Sequence, residues 1–272
     1  MKQRLISSII YFLLLLSILV INVPIVDTIV VVLISLIAMY EYNKAFKSIG
    51  NNPISFVGYI GCLSMFLLGM PIDSNIKMLI IRMGIPILVI LLFIYIILKN
   101  LKVTVIDIAI TVLSLIYIPF MFSFVKLILA MENSRALIWF VILGAFMSDI
   151  MAYIVGCKFG KRKLCPTISP KKTIEGSIGG IVGVTISYII LNLILTYLGI
   201  LKLNMVIVII MGIVCSIVGQ FGDLSASAIK RHCKVKDFGS IMPGHGGILD
   251  RCDSILFVAP IVYIFLKVYL GI

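Results

Sequence analysis

Charge is scarce in this sequence. Only 12% of its 272 residues are Asp, Glu, Lys or Arg, against 62% hydrophobic, and the mean hydropathy is +1.24. Soluble domains are about a quarter charged, so a soluble globular protein is excluded and the chain is read as an integral membrane protein. Sustained period-two alternation is missing from its apolar runs, which excludes a membrane barrel and leaves helices. No CxxC pair occurs among the six cysteines, Cys62, Cys157, Cys165, Cys215, Cys233 and Cys252. A disulfide framework or thiolate zinc site is therefore not expected, and the thiols are read as reduced. The phosphate-loop spacing GxxxxGK[ST] is absent. No internal repeat is visible, and Arg82 and Asp107 lie near the ends of their runs, which speaks against a transporter.

What remains is apolar runs joined by basic connectors. The runs fall at about Leu5–Val23, Ile25–Tyr40, Ile54–Met70, Met78–Leu98, Val103–Phe124, Ala136–Val155, Ile178–Leu198, Met205–Lys230 and Ile248–Leu270. A span needs about 20 residues, so the reading is an all-α, polytopic membrane protein with about nine transmembrane helices. The first run, behind Lys2 and Arg4, resembles a signal peptide but is followed by no small-residue cleavage site, and a retained span is expected. Residues 1–135 are taken as amino-terminal transmembrane helices and 136–272 as a carboxy-terminal catalytic region. The net charge of +12 has no soluble face on which to meet nucleic acid. It fits positive-inside orientation and contact with anionic lipid or nucleotide phosphates. With nine spans, Lys158, Lys161, Arg162, Lys163, Lys171 and Lys172 share the cytosolic side with Arg231, Lys234 and Lys236, with Lys44 and Lys47, and with Lys99 and Lys102.

The chemistry concentrates between Gly219 and Ser254, which holds both histidines and four of the eleven acidic residues. Asp223, Ser227 and Lys230 are spaced i, i+4, i+7 and share one face of a helix. Pro243-Gly244-His245-Gly246-Gly247 is a turn whose glycines can present backbone N–H groups to an anion. Asp250 and Asp253 follow at i, i+3 in the first turns of the last helix. Carboxylates and lysines at one depth suit Mg²⁺ and polyphosphate, because Mg²⁺ fills much of its sphere with water and substrate oxygens. His245 has no second ligand at zinc spacing. Asp149, in the last turns before the 156–176 connector, is read equally as a hydrated helix-end acid or as part of the site. Ser169 to Gly176, with Pro170, Lys171, Lys172 and Thr173, reads as a basic phosphate-handling loop in which Thr173 caps a helix.

These residues carry a resemblance. Ser227-x-Ile229-Lys230-Arg231, Lys236-Asp237 and Pro243-x-His245-Gly246-Gly247-Ile248-x-Asp250-Arg251-x-Asp253 resemble the signature of the phosphatidate cytidylyltransferases, or CDP-diacylglycerol synthases. Ser148-Asp149, Ala152-Tyr153 and Ser169-Pro170-x-Lys172-Thr173-x-Glu175-Gly176 are similar to other recurrent segments of that family. Met242, Cys252 and Ile174 depart from it without removing a charged or glycine position. The resemblance implies transfer of a cytidylyl group from CTP to phosphatidic acid in phospholipid biosynthesis, giving CDP-diacylglycerol and pyrophosphate. It also implies Mg²⁺, a homodimer and a bacterial-type cytoplasmic membrane. On that basis Asp223, Asp250 and Asp253 are the expected metal ligands, with Asp223, Asp250, Lys230, Arg231 and His245 catalytic. Lys171, Lys172, Ser227, Lys236, Gly246, Gly247 and Arg251 are expected to hold substrate. A dolichol-kinase-like enzyme is the rival; the DGxxAR…GxxxDxxxD pattern of the CDP-alcohol phosphotransferases is missing.

Overall fold

Local polar residues set the ends of several helices in an otherwise apolar chain. A computed structural model describes residues 23–68, 74–100, 102–240 and 246–270. The helices are α1 (Pro24–Lys47), α2 (Ser55–Leu63), α3 (Met65–Leu68), α4 (Ser74–Leu98), α5 (Val105–Leu115), a π-helical turn (Ile116–Phe120), α6 (Met121–Leu129), α7 (Ser134–Phe159), α8 (Ile174–Tyr197), α9 (Met205–His232) and α10 (Leu249–Leu270). A proline opens α1, where its missing N–H costs nothing. Thr104 and Asp107 form a reciprocal capping box at the start of α5. Thr173 caps α8 through the Gly176 amide, and Asn204 caps α9 through that of Val206.

Among the described residues, six helical stretches are long and apolar enough to cross a membrane: α1, α5 through α6, α7, α8, α9 and α10. The expected run at 5–23 lies outside the described residues, save Val23. Residues 54–70 do not give the single span expected there. The helix stops at Ser64, whose hydroxyl turns back to the Gly61 carbonyl (2.7 Å), and a short helix follows. The excursion through α2, α3 and α4 begins and ends on one side, because the Asn52 amide donates to Asp107 and that of Ile54 to Thr111 (2.9 Å). A second difference lies in the 156–176 connector. It carries an antiparallel hairpin, β1 (Lys163–Cys165) and β2 (Ser169–Thr173), where only a loop was expected. Glu175 fastens that hairpin to α8 by accepting from the Lys161 (3.0 Å) and Arg162 amides.

Helix α10 is the axis of the bundle and packs against α1, α6, α7 and α9. Close approach of α9 needs Gly222: a Cβ there would stand 2.6 Å from the Asp253 carbonyl oxygen, so only glycine allows that crossing. Two apolar clusters result. One joins Tyr42 and Phe46 of α1 to Tyr117, Cys233, Leu249, Cys252 and Leu256. The other, toward the opposite end, joins Phe140, Val184, Tyr188, Met211, Val258 and Val262. Asn192 closes the α8–α9 turn at that far end by bonding both backbone groups of Leu203 (3.1 Å each). The end of α1 meets the end of α9, where Ser48 donates to the Cys233 carbonyl (3.4 Å). Residues 160–173, 233–240 and 246–248 therefore share one end of the bundle with the carboxyl end of α1.

Candidate active site

At that end, three helices and the hairpin surround a cavity of about 410 Å³. Asp149 and Tyr153 of α7, Lys171 and Lys172 of β2, Ser177 of α8 and Gln220 of α9 are in its wall. The depth is fixed by a polar ladder that would be costly to leave unpaired among apolar helices. Gln220 accepts from the Ser177 hydroxyl and donates to the Ser177 carbonyl (3.2 Å) and to the Ser216 hydroxyl (3.3 Å). Ser216 in turn bonds Ser148 (3.1 Å). Three helices are thus pinned in register directly below the charged residues.

Two carboxylate–lysine pairs stand above the ladder. Lys172, at the end of the hairpin, pairs with Asp223 of α9, and both side chains are about a quarter exposed. Lys230, two turns further along α9, pairs with Asp250 at the start of α10 (2.7 Å), and this pair is buried. The helical spacing read from the sequence explains why one face of α9 supplies both partners, with half-buried Ser227 between them. Asp250 is held further by the Phe238 and Gly247 amides, 2.9 Å each to Oδ2. Lys230 Nζ also lies 5.5 Å from the centre of the Phe238 ring. Asp149, Asp223 and Asp253 are close enough for their charges to act on one another, with Lys172 and Arg251 near Asp149 and Lys230 near Asp253.

The structure thus brings together Lys172, Asp223, Ser227, Lys230, Asp250 and Asp253, with Lys171 on the cavity wall. Arg231 reaches the hairpin, its Nε donating to the Ile168 carbonyl (3.4 Å). Lys236 is exposed on the connector that leads to Phe238. Gly246 adopts φ +88°, a backbone state that glycine occupies without strain. Pro243, Gly244 and His245 lie outside the described residues. Asp149, left undecided by its sequence position, opens into the cavity. Sequence reasoning missed Gln220, whose signal was a lone amide in an apolar helix. It also missed Tyr117, a buried residue on the π-helical turn whose hydroxyl has no hydrogen-bond partner among the described residues. The phenol lies within electrostatic reach of Asp253, Asp223 and Asp250. Glu41 was missed as well; fully buried, it accepts from the Ile248 (3.1 Å) and Leu249 (2.9 Å) amides.

The donor set can be tested against Mg²⁺. Among the described residues no three of the carboxylate, imidazole or thiol groups form a complete metal cage. Asp223 and Asp250 each have a lysine opposite, and Asp253 spends one oxygen on the Ser254 amide (2.7 Å). That arrangement fits an ion that takes one or two carboxylates and completes its sphere with water and phosphate oxygens. It does not fit a cation enclosed by protein alone.

Comparisons with known proteins show the family. Residues 2–269 match the profile of the cytidylyltransferase family. The chain is 33% identical over 277 residues to a phosphatidate cytidylyltransferase of Bacillus subtilis, covering 99% of this chain and 98% of that one. It is 34% identical over 270 residues to a phosphatidate cytidylyltransferase of Staphylococcus epidermidis, with 98% and 99% covered. A Thermotoga maritima protein of the same name is 39% identical over 163 residues, 59% of each chain. Matched from end to end by the family profile and by full-length relatives, the chain belongs to the cytidylyltransferase family that includes the phosphatidate cytidylyltransferases.

Proposed function

We infer that this protein converts CTP and phosphatidic acid to CDP-diacylglycerol and pyrophosphate, at the face of the bundle where its basic connectors lie. The observation that carries the reading beyond family membership is the pair of carboxylate–lysine couples along one face of α9, one of which reaches the cavity wall through Lys172. Each neutralises a carboxylate by a lysine that can turn to a phosphate oxygen. The acceptor is itself an anion, so a phosphatidate oxygen attacks the α-phosphorus of CTP without first losing a proton to the enzyme. One P–O bond forms, the bond to the β-phosphate breaks, and pyrophosphate leaves with the electron pair. What the protein must supply is alignment of two mutually repelling polyanions and neutralisation of the leaving group.

Asp223 and Asp250, with Asp253 and Asp149 beside them, are the residues that would hold Mg²⁺. When bound it supplies positive charge against that developing on pyrophosphate. Lys172 and Lys230, released from their carboxylates, are then placed to hold triphosphate and lipid phosphate. Lys171 and Lys163 extend the positive wall, and Gln220 and Ser177 form a polar floor. Arg251, in the first turn of α10, adds a further cation for substrate phosphate, and Gly246 and Gly247 keep the backbone beside it free of side chains. His245 keeps the catalytic role that the family likeness implies for it. Arg231 supports the site by tethering the hairpin.

The basic connectors set the orientation in this reading. The 158–172 and 231–236 segments carry nine lysines and arginines, and positive-inside bias puts them in the cytosol of the inner membrane. A soluble nucleotide then meets a lipid that stays in the bilayer, and the homodimer implied by the family likeness is carried as part of the same reading. The test is Asp223→Asn in purified full-length protein supplied with CTP, phosphatidic acid and Mg²⁺. The carboxamide keeps the shape and removes the charge. CDP-diacylglycerol formation should fall at least about a hundredfold, as when an electrostatic group of an active site is lost, while yield and membrane insertion stay unchanged. Turnover near the parent value at limiting Mg²⁺ would remove Asp223 from the metal set.

A further inference from the structure

We propose that Glu41 is a positioning residue of the active site: its buried carboxylate, reaching in from α1, seats the turn before α10 and through that turn orients Asp250. The first amides of a helix need acceptors, normally supplied by a local polar side chain. Ile248, which precedes α10, has none to offer. The acceptor comes instead from 207 and 208 positions away in the chain: Glu41 Oε1 takes the Ile248 amide at 3.1 Å and Oε2 that of Leu249 at 2.9 Å.

Two glycines show how closely the connector wraps this carboxylate. A Cβ at Gly239 would stand 2.1 Å from Glu41 Oε1, and one at Gly247 would stand 2.4 Å from Oε2. Neither position has room for a side chain while Glu41 is in place. The residues next to this contact serve Asp250. The Gly247 amide and that of Phe238, adjacent to Gly239, both donate to Asp250 Oδ2 at 2.9 Å. One connector is therefore held between two carboxylates, Glu41 on the side of α1 and Asp250 on the side of Lys230. Moving the first releases the donors that orient the second.

Every polar contact of the Glu41 carboxylate described above is with an N–H donor, one to each oxygen. Glutamine would turn an NH₂ group toward one of those donors and lose that bond. The proposal rests on Asp250 serving the reaction as inferred above.

The test compares Glu41→Gln and Gly239→Ala in the full-length protein in lipid nanodiscs. Steady-state kinetics in CTP are measured alongside amide hydrogen exchange. Glu41→Gln should lower kcat on the order of tenfold to a hundredfold, as a displaced active-site group does, and leave KM for CTP nearly unchanged. Exchange should quicken at Phe238 and at Gly246–Leu249 but not along residues 205–219 of α9. Gly239→Ala displaces the same carboxylate without removing it and should show the same signature, which covers the case in which Glu41→Gln does not fold. Wild-type kcat in either folded variant, or unchanged exchange at 246–249, would overturn the proposal. Asp250→Asn measured in parallel separates two failures. An active Asp250→Asn removes the reading of that residue and this proposal with it, whereas an inactive one beside a fully active Glu41→Gln overturns the positioning role alone.

Discussion

Replacing Lys230 by methionine removes a charge from the buried couple with Asp250 while keeping most of the side chain's length. The Asp250 side chain is 3% exposed and that of Lys230 13%, so each charge is poorly hydrated where it stands when its partner is lost. Breaking a buried ion pair from one side costs about 3–5 kcal/mol. Asp250 keeps the Phe238 and Gly247 amides in this variant, which places the loss at the lower end, about 3 kcal/mol. Asp250→Asn should be milder, because the stranded ammonium still lies near the Phe238 ring, and a desolvated contact of that kind returns up to about 2 kcal/mol. The double variant leaves no unpaired charge and should cost less than the sum by about 1–3 kcal/mol. Equilibrium unfolding in mixed detergent micelles, followed by circular dichroism, measures all four corners of the cycle. Additivity to within about 0.5 kcal/mol, the spread found for independent sites, would refute the argument that the two groups form one buried unit.

Two further outcomes are expected. Single cysteines placed at Lys161 and Lys234, in a chain stripped of its own thiols, should resist a membrane-impermeant reagent in intact cells and react after permeabilisation; labelling without permeabilisation would reverse the orientation. The native thiols must go because Cys157 is exposed, although burial pushes the Cys233 thiol above its ordinary value and makes it a poor nucleophile. Gly222→Ala should destabilise the α9–α10 contact by about 1–3 kcal/mol, the usual cost of overpacking, read in the same unfolding assay; a neutral result would mean the crossing is looser than the Asp253 carbonyl contact implies.

What could be read from the sequence follows from where each signal is stored. Long apolar runs are local, so α5 through α10 stand within about five residues of their expected positions, while α1 runs on from the expected end at Tyr40 to Lys47. Spacing along one helix is local too, and residue numbers alone put Asp223, Ser227 and Lys230 on one face. The stop at Ser64 escaped because a serine turning back on its own helix leaves no mark in hydropathy. The hairpin escaped because Lys163–Thr173 is too short and too basic to show a strand pattern, and its hold on Glu175 is made by backbone amides. Partners across the chain were not legible at all. Nothing in the run EYNKAF says that Glu41 caps a helix 208 positions later, and nothing in SPKKT says that the second lysine meets Asp223.

Cytidylyl transfer and phosphoryl transfer use similar metals and cations, so the fate of each phosphate decides between them. Purified protein should be given phosphatidic acid, Mg²⁺ and CTP carrying label in either the α- or the γ-phosphate. The account predicts that α-label moves into the lipid and γ-label into pyrophosphate. Label from the γ-phosphate in the lipid, with CDP released, would contradict it.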